Sequence, residues 1–513
     1  MRQILVLVTN LLWVASVQPA ATREAIQTPV AKTQSGRVSG ERTGEVDVFR
    51  GIPYAAAPVG ERRWAAPATP AAWRGTRRAT VFGPSCPQPE VPAPFGAEGP
   101  KSEDCLYLNI WRPKIVSGAH LPVLVWLHGG AFLLGSGSQP LYDGSELARR
   151  GAIVVTINYR LGALGFLNHR AFVAQDGPSA NFGLLDQIAA LRWVKHNIAG
   201  FGGDPRNVTL AGESAGGVSV QALMTSAAAR GLFGKAIIQS GGGLAAFADS
   251  RSEAALAAGD KWAQSVGAPT NATIADLRKL PVERLVAARF IAFPSIDDAL
   301  LDRNPAETFA RGEEADVPLL IGANSWEASL RIFDDAMARS LLGPAYDPLL
   351  QSYLAAGLDK AAAADRLRGD LFFVQPARFL AERHARNHPT WLYHFDMLPA
   401  SLRGKQPGTA HGGELAYLFA TPAAGLVAWD DQDRAVSQEM MDYWTRFAAS
   451  GNPNASGSDA WQDARTGDSL LIQPTARMTA PTEQDYTAFR TVVAAARGWL
   501  SLDQRANSSP SRP

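Results

Sequence analysis

The chain has 513 residues, 46% of them hydrophobic and 19% charged, an apolar content that supports a large core and excludes a disordered chain. Lys and Arg number 49 against 48 Asp and Glu, so the formal net charge is only +1, which gives no basic field and excludes nucleic acid as an expected partner. With no internal repeat and no low-complexity block in its body, residues 22–500 read as a single domain.

At the N-terminus, Met1 and Arg2 precede an apolar run from Ile4 to Val17, followed by Pro19, Ala20 and Ala21. This is the pattern of a secretory signal peptide over residues 1–21, and the run is shorter than the ~20 residues of a membrane-spanning helix. An exported protein, periplasmic or secreted, is therefore expected. Cys86 and Cys105 agree with an oxidising compartment: the eighteen residues between them form a loop that a disulfide could close, stabilising by about 3 kcal/mol on chain-entropy grounds. Two unrelated buried thiols are the alternative. Neither CxxC nor HExxH occurs, so no metal and no cofactor are expected.

Further along, Leu121–Leu127 (LPVLVWL) and Ile153–Ile157 (IVVTI) are short apolar runs, the pattern of strands buried on both faces. Val208–Leu210, Ala236–Gln239, Val317–Ile321 and Trp391–Phe395 repeat it. Between strands, Gly183–Asn197 carries Leu184, Ile188, Leu191 and Val194 at helical spacing. Strands alternating with helices predict an α/β class, with a mainly parallel sheet covered on both faces. Two Ala-rich stretches of helical tendency, from Ala245 to about Glu314 and from Leu341 to Arg386, read as insertions that wall a pocket. After Gly498 the chain turns polar and ends SSPSRP, which predicts a flexible tail over 501–513.

The strongest chemical signal is Gly212-Glu213-Ser214-Ala215-Gly216, a GxSxG between the strand Val208–Leu210 and a helix-like GVSVQALMTS. On such a strained strand-to-helix turn the glycines prevent collisions and the serine hydroxyl is pushed into the site, which marks Ser214 as a nucleophile. His128-Gly129-Gly130-Ala131-Phe132 directly follows the strand ending at Leu127 and has the small residues that let backbone amides approach a developing oxyanion. Gly130, Ala131 and Ala215 are the expected donors, although an ordinary turn would also use glycine.

A serine hydroxyl needs a base, and the base needs an acid to fix its tautomer. Of eight histidines, His411 stands out in the glycine-flanked loop Gly408-Thr-Ala-His-Gly-Gly-Glu414, after the last clear strand. The chain order nucleophile, acid, histidine puts the acid between Ser214 and His411. Glu327, following VPLLIGANSW, would sit on a loop at the carboxyl edge of a strand, where sites on open α/β sheets gather. Spacing alone leaves Asp297, Asp298 and Asp302 open.

These residues, with Phe49-Arg-Gly-Ile-Pro-Tyr54, Ser102-Glu-Asp-Cys-Leu-Tyr-Leu-Asn-Ile110, Asn158-Tyr-Arg-Leu-Gly162 and Phe201-Gly-Gly-Asp-Pro205, resemble the type-B carboxylesterase family of the α/β-hydrolase fold over nearly the whole mature chain. The resemblance implies that Glu327 is the acid and His411 the histidine, that Cys86 pairs with Cys105, that Ser240 supports the site from behind, and that Glu213 is the acid beside the nucleophile. It also suggests a bacterial enzyme with a small-molecule ester as its partner. The loop between the cysteines lacks the tryptophan with which cholinesterases hold a quaternary ammonium, so the likeness does not extend to choline esters.

The expected reaction is ester hydrolysis through a serine acyl-enzyme, with Phe132 and Phe293 lining the acyl side of the pocket. An amide or carbamate hydrolase would use the same triad, and a catalytically silent binding protein could keep the same fold. Oligomeric state is not legible in the sequence.

Overall fold

The computed structural model describes residues 28–500, apart from 93–95, 98, 115–117, 174–179, 245–248, 291–292, 298, 459 and 499. The expected signal segment and polar tail lie outside the described residues, as does Asp298. Fourteen strands follow the chain among the described residues: β1 (Val30–Thr33), β2 (Gly36–Ser39), β3 (Glu41–Thr43), β4 (Val46–Pro53), β5 (Thr76–Arg78), β6 (Tyr107–Pro113), β7 (Leu121–Leu127), β8 (Ile153–Ile157), β9 (Gly203–Glu213), β10 (Lys235–Gln239), β11 (Leu319–Asn324), β12 (Thr390–Phe395), β13 (Ser469–Ile472) and β14 (Arg477–Thr479).

β1, β2 and β5 form a small sheet near the N-terminus; the other eleven form one sheet in the order β3-β4-β6-β8-β7-β9-β10-β11-β12-β13-β14. From β8 through β13 all neighbours are parallel, while the pairs β3–β4, β4–β6, β6–β8 and β13–β14 are antiparallel. Parallel strands must be covered on both faces, and the side chains divide accordingly. Val123, Val125, Leu127, Leu210 and Ile321 enter one core, whereas Leu124, Trp126, Ala211, Ile237 and Leu320 enter the other.

The first core is roofed by helix Phe182–Asn197, whose Leu184, Ile188, Leu191 and Val194 are all buried in it, and by helix Gln375–His384. The second is roofed by helix Asp431–Ser450 through Val436, Met440, Trp444 and Phe447. That helix starts on a capping box in which the Asp430 and Asp433 carboxylates each accept the other's backbone N–H, and stops at Gly451 in the left-handed conformation.

The strands expected from the apolar runs are present, the Val317–Ile321 run beginning as β11 only after Pro318 and reaching Asn324. Both Ala-rich stretches are helical insertions. Two differences stand out. β12 is not the last strand, because the short β13 and β14 follow the His411 loop. The antiparallel flank from β3 to β6 also extends the sheet beyond its parallel part.

Candidate active site

The parallel strands β7, β9, β10 and β11 end on the same edge of the sheet, and each hands the chain to a residue of interest: His128, Ser214, Ser240 and, three residues on, Glu327. At the end of β9 the backbone turns sharply, with Ser214 at φ 54° and ψ −122°, and helix Ala215–Thr225 starts at the next residue. A non-glycine residue held there stores strain of order 1–3 kcal/mol. The turn is fixed by its surroundings: the Ser214 N–H donates to the Gln239 carbonyl at 2.9 Å, and the helix start lies so close to β7 that a Cβ on Gly216 would stand 2.0 Å from the Leu127 oxygen.

His411 arrives from a distant loop that is strapped to the segment after β11. The Trp326 amide donates to the Thr409 carbonyl at 2.9 Å, the Thr409 amide to Ser325 Oγ at 2.8 Å and the His411 amide to Ser329 Oγ at 2.8 Å. His411 Nε2 then lies 2.9 Å from Ser214 Oγ, and Nδ1 lies 2.5 Å from Glu327 Oε2. The other Glu327 oxygen accepts from Ser240 Oγ at 2.5 Å and from the Asn324 amide at 2.7 Å, which locks the carboxylate in place. The competing acids stand elsewhere: Asp297 accepts from Asn181 and from the amides of residues 299–301, and Asp302 pairs with Arg303.

Two further buried carboxyls face this group. Glu213 Oε1 approaches His411 Nε2 to 3.3 Å without hydrogen-bond geometry, and burial, reinforced by Glu414 and Glu327 and opposed by His411, pushes its carboxyl up to about 8. Glu414 takes hydrogen bonds from Gln239 Nε2 at 3.0 Å and Asn324 Nδ2 at 2.5 Å, and burial raises it as well. For His411 itself burial favours the neutral ring, but Glu327, Glu213 and Glu414 outweigh it and raise the imidazole to about 9. Glu414 lies in the His411 motif, and only the fold reveals it as part of the polar floor.

The loop after β7 is tightly wound. Gly130, Ala131 and Phe132 all have positive φ, and a Cβ on Gly130 would meet the Leu134 oxygen at 2.2 Å. His128 is buried in contact with the Tyr159 ring at 4.4 Å, its Nδ1 donates to the Gly129 carbonyl at 2.8 Å, and burial lowers its pKa to about 4, so it serves as a neutral brace. Cys86 and Cys105 are bonded to each other, and the loop they close carries Gln88, which both donates to the Gly135 carbonyl and accepts from the Gly135 amide at 2.8 Å. The disulfide loop thereby holds the far end of the loop after β7.

A cavity of about 280 Å³ opens onto Ser214, with Ala131 and Ala215 in its wall. Phe293 is among the residues that line it, partly exposed. Phe132 is not: its ring is fully buried behind the wall, against Phe166 at 4.8 Å and Phe293 at 5.8 Å. The main apolar wall is Leu330, Phe333, Phe372, Phe373 and Val492, from three separate segments, and among the described residues no charged side chain lines the cavity. Phe373 also packs on the His411 ring at 4.9 Å.

The carboxylesterase family model matches residues 27–347 and 347–490. The fumonisin B1 esterase of Sphingopyxis macrogoltabida is 37% identical over 478 residues, covering 87% of this chain and 86% of that one. The para-nitrobenzyl esterase of Bacillus subtilis strain 168 is 38% identical over 454 residues, covering 83% and 90%. A solved PNB esterase superposes with a TM-score of 0.80 at 33% identity, over 91% of this chain and 99% of its own, and a Geobacillus stearothermophilus carboxylesterase with 0.75 at 33%, over 90% and 99%. The chain thus belongs to the carboxylesterase family: it has the α/β-hydrolase fold and is a carboxylic-ester hydrolase.

Proposed function

We propose that hydrolysis runs through an acyl-enzyme on Ser214. His411 Nε2 takes the hydroxyl proton as Oγ attacks the ester carbonyl, then gives it to the departing alcohol; water, activated by the same nitrogen, releases the acid. Glu327 holds the tautomer with its proton on Nδ1 and stabilises the imidazolium, and Ser240 steadies Glu327. The amides of Gly130, Ala131 and Ala215 receive the oxyanion, each essential donor contributing about 3–4 kcal/mol. The observation that carries this reading is the continuous chain Ser214 Oγ, His411, Glu327 at the floor of an apolar cavity.

The cavity also indicates a substrate class. Among the described residues its wall has aromatic and aliphatic side chains and no charge, so it suits esters whose buried part is uncharged and apolar. The test compares p-nitrophenyl hexanoate with the mono-p-nitrophenyl ester of adipic acid, which adds a terminal carboxylate. A kcat/KM lower by about 100-fold or more for the anionic ester is expected; equal values contradict this substrate class.

Residues 22–500 are read as one domain. Export rests on the N-terminal apolar run together with the Cys86–Cys105 bond, and no helix among the described residues is long and apolar enough to cross a membrane. N-terminal sequencing of the mature protein, expected to begin near residue 22, checks it.

A further inference from the structure

The active site occupies the carboxyl edge of the sheet; a second cluster of chemically capable side chains lies at the opposite edge. Glu314 and Asp316 precede β11, His384 ends helix Gln375–His384, and His388 stands two residues before β12. Glu314 and His384 have wholly buried side chains.

The contact between His384 and Glu314 needs a proton or a cation between its two atoms. His384 Nε2 lies 2.8 Å from the Val317 carbonyl, which only accepts, so Nε2 carries a hydrogen. A neutral ring then presents a lone pair at Nδ1, yet Glu314 Oε1 stands 2.7 Å from that nitrogen. Something positive must lie between them. The second Glu314 oxygen is buried with no hydrogen-bond partner, so a single proton shared with Nδ1 leaves it unanswered. His388 follows one helical turn later, its amide donating to the His384 carbonyl at 3.0 Å, with the two rings 4.7 Å apart on one face. One ligand atom each from Glu314, His384 and His388 lies within 4.8 Å of the others, and Asp316 Oδ1 is 2.8 Å from His388 Nδ1.

We propose that Glu314, His384 and His388 bind a divalent transition-metal ion of the zinc class, with the fourth position facing solvent beside Asp316. Two imidazoles and a carboxylate with an open fourth position suit Zn²⁺, whose bonds of about 2.0–2.2 Å place tetrahedral ligands roughly 3.3 Å apart; Glu314 and His384 stand 2.7 Å apart and His388 joins them within 4.8 Å. The Val317 carbonyl on His384 Nε2 is the outer hydrogen bond that metal-bound histidines characteristically make. Asp316, with its side chain 91% exposed, opens the site to solvent and gives the ion a path in. The ion would tie the end of the first insertion to the helix that carries Pro376 into the cavity wall, as a structural site remote from the reaction.

The test uses the full, tag-free chain stripped with EDTA. ZnCl₂ at micromolar excess is expected to raise Tm by about 5 °C or more, MgCl₂ to leave it unchanged. The variant His388→Ala, at a partly exposed position, is expected to keep the Tm of the stripped wild type and its esterase activity while losing the zinc-dependent rise. Absence of a rise in the wild type overturns the proposal, and so does an equal rise in His388→Ala, which would put the zinc elsewhere. A metal-independent Tm that titrates with pH, lost in Glu314→Gln, with no zinc response in the wild type, would also overturn it and assign a proton-bridged pair.

Discussion

His411 sits between opposing influences, and its titration is the most informative property at the scale of single residues. As a base it must be unprotonated, so kcat/KM falls as pH drops through its pKa, which the surrounding carboxylates hold above the ordinary histidine value and close to 9. Glu213, itself raised to about 8, titrates in the same range, so the acid limb reports the pair. Removing one negative neighbour weakens the hold on the imidazolium, and Glu213→Gln is therefore expected to move the acid limb to lower pH; a pH–rate profile from 6 to 10 with an unmoved or raised midpoint contradicts this. Glu327→Gln keeps the shape but presents a neutral amide to Nδ1, which favours the wrong tautomer, and a loss of about 10⁴ in kcat is expected from steady-state kinetics at the pH optimum. Ser214 and His411 stand out in the sequence because each sits in a glycine-flanked motif, whereas spacing alone left Glu327 level with Asp297, Asp298 and Asp302 and only the family resemblance pointed to it. Phe132 was misplaced because a side chain following an oxyanion loop can turn either toward the cavity or behind it, and only the packing of Phe166 and Phe293 decides which.

Among the elements, the buried parallel strands were readable because both faces demand apolar side chains, whereas β1 and β2 have only four residues and partly exposed patterns, and β14 has three residues with none buried. The cavity wall was the least legible part. Phe372 and Phe373 come from the π-helical turn Asp370–Val374, whose buried Asp370 is held by Tyr353, Arg366 and Gln375. The added residue in that turn aligns two consecutive phenylalanines with the cavity, a use of π-turns common at functional sites, and no local pattern announces it. Phe372→Ala is expected to enlarge the cavity and shift the preferred p-nitrophenyl ester to longer acyl chains, with a change of about tenfold in relative kcat/KM between butyrate and decanoate. An unchanged chain-length profile would remove Phe372 from the substrate wall. At the strand-to-helix turn, Gly216→Ala forces a methyl group against the Leu127 carbonyl and is expected to cost both activity and, by thermal unfolding, of order 1–3 kcal/mol of stability.

Across the whole molecule, the site is assembled from segments far apart in the chain and held by long-range ties: the Trp326–Thr409 strap, the Gln239 and Asn324 contacts to Glu414, and the disulfide loop whose Gln88 grips Gly135. Cys86→Ser is expected to lower stability by about 3 kcal/mol in chemical denaturation and to weaken catalysis through the loosened oxyanion loop. Opening the bond without any effect on kcat would show that the loop holds itself. The sequence pointed to the family because its motifs are local; the polar floor around Glu414 and the meeting of Glu314 with His384 and His388 were not visible, since each joins residues from separate elements. The mechanism stands or falls with covalent catalysis at Ser214. Acid-quenching the enzyme during turnover of a p-nitrophenyl ester and mapping the acylated peptide by mass spectrometry tests it most directly. An acyl adduct on Ser214, absent in Ser214→Ala together with a loss of at least ~10⁴ in activity, is the predicted result; an adduct on another residue, or a Ser214→Ala variant that keeps its activity, would contradict the mechanism.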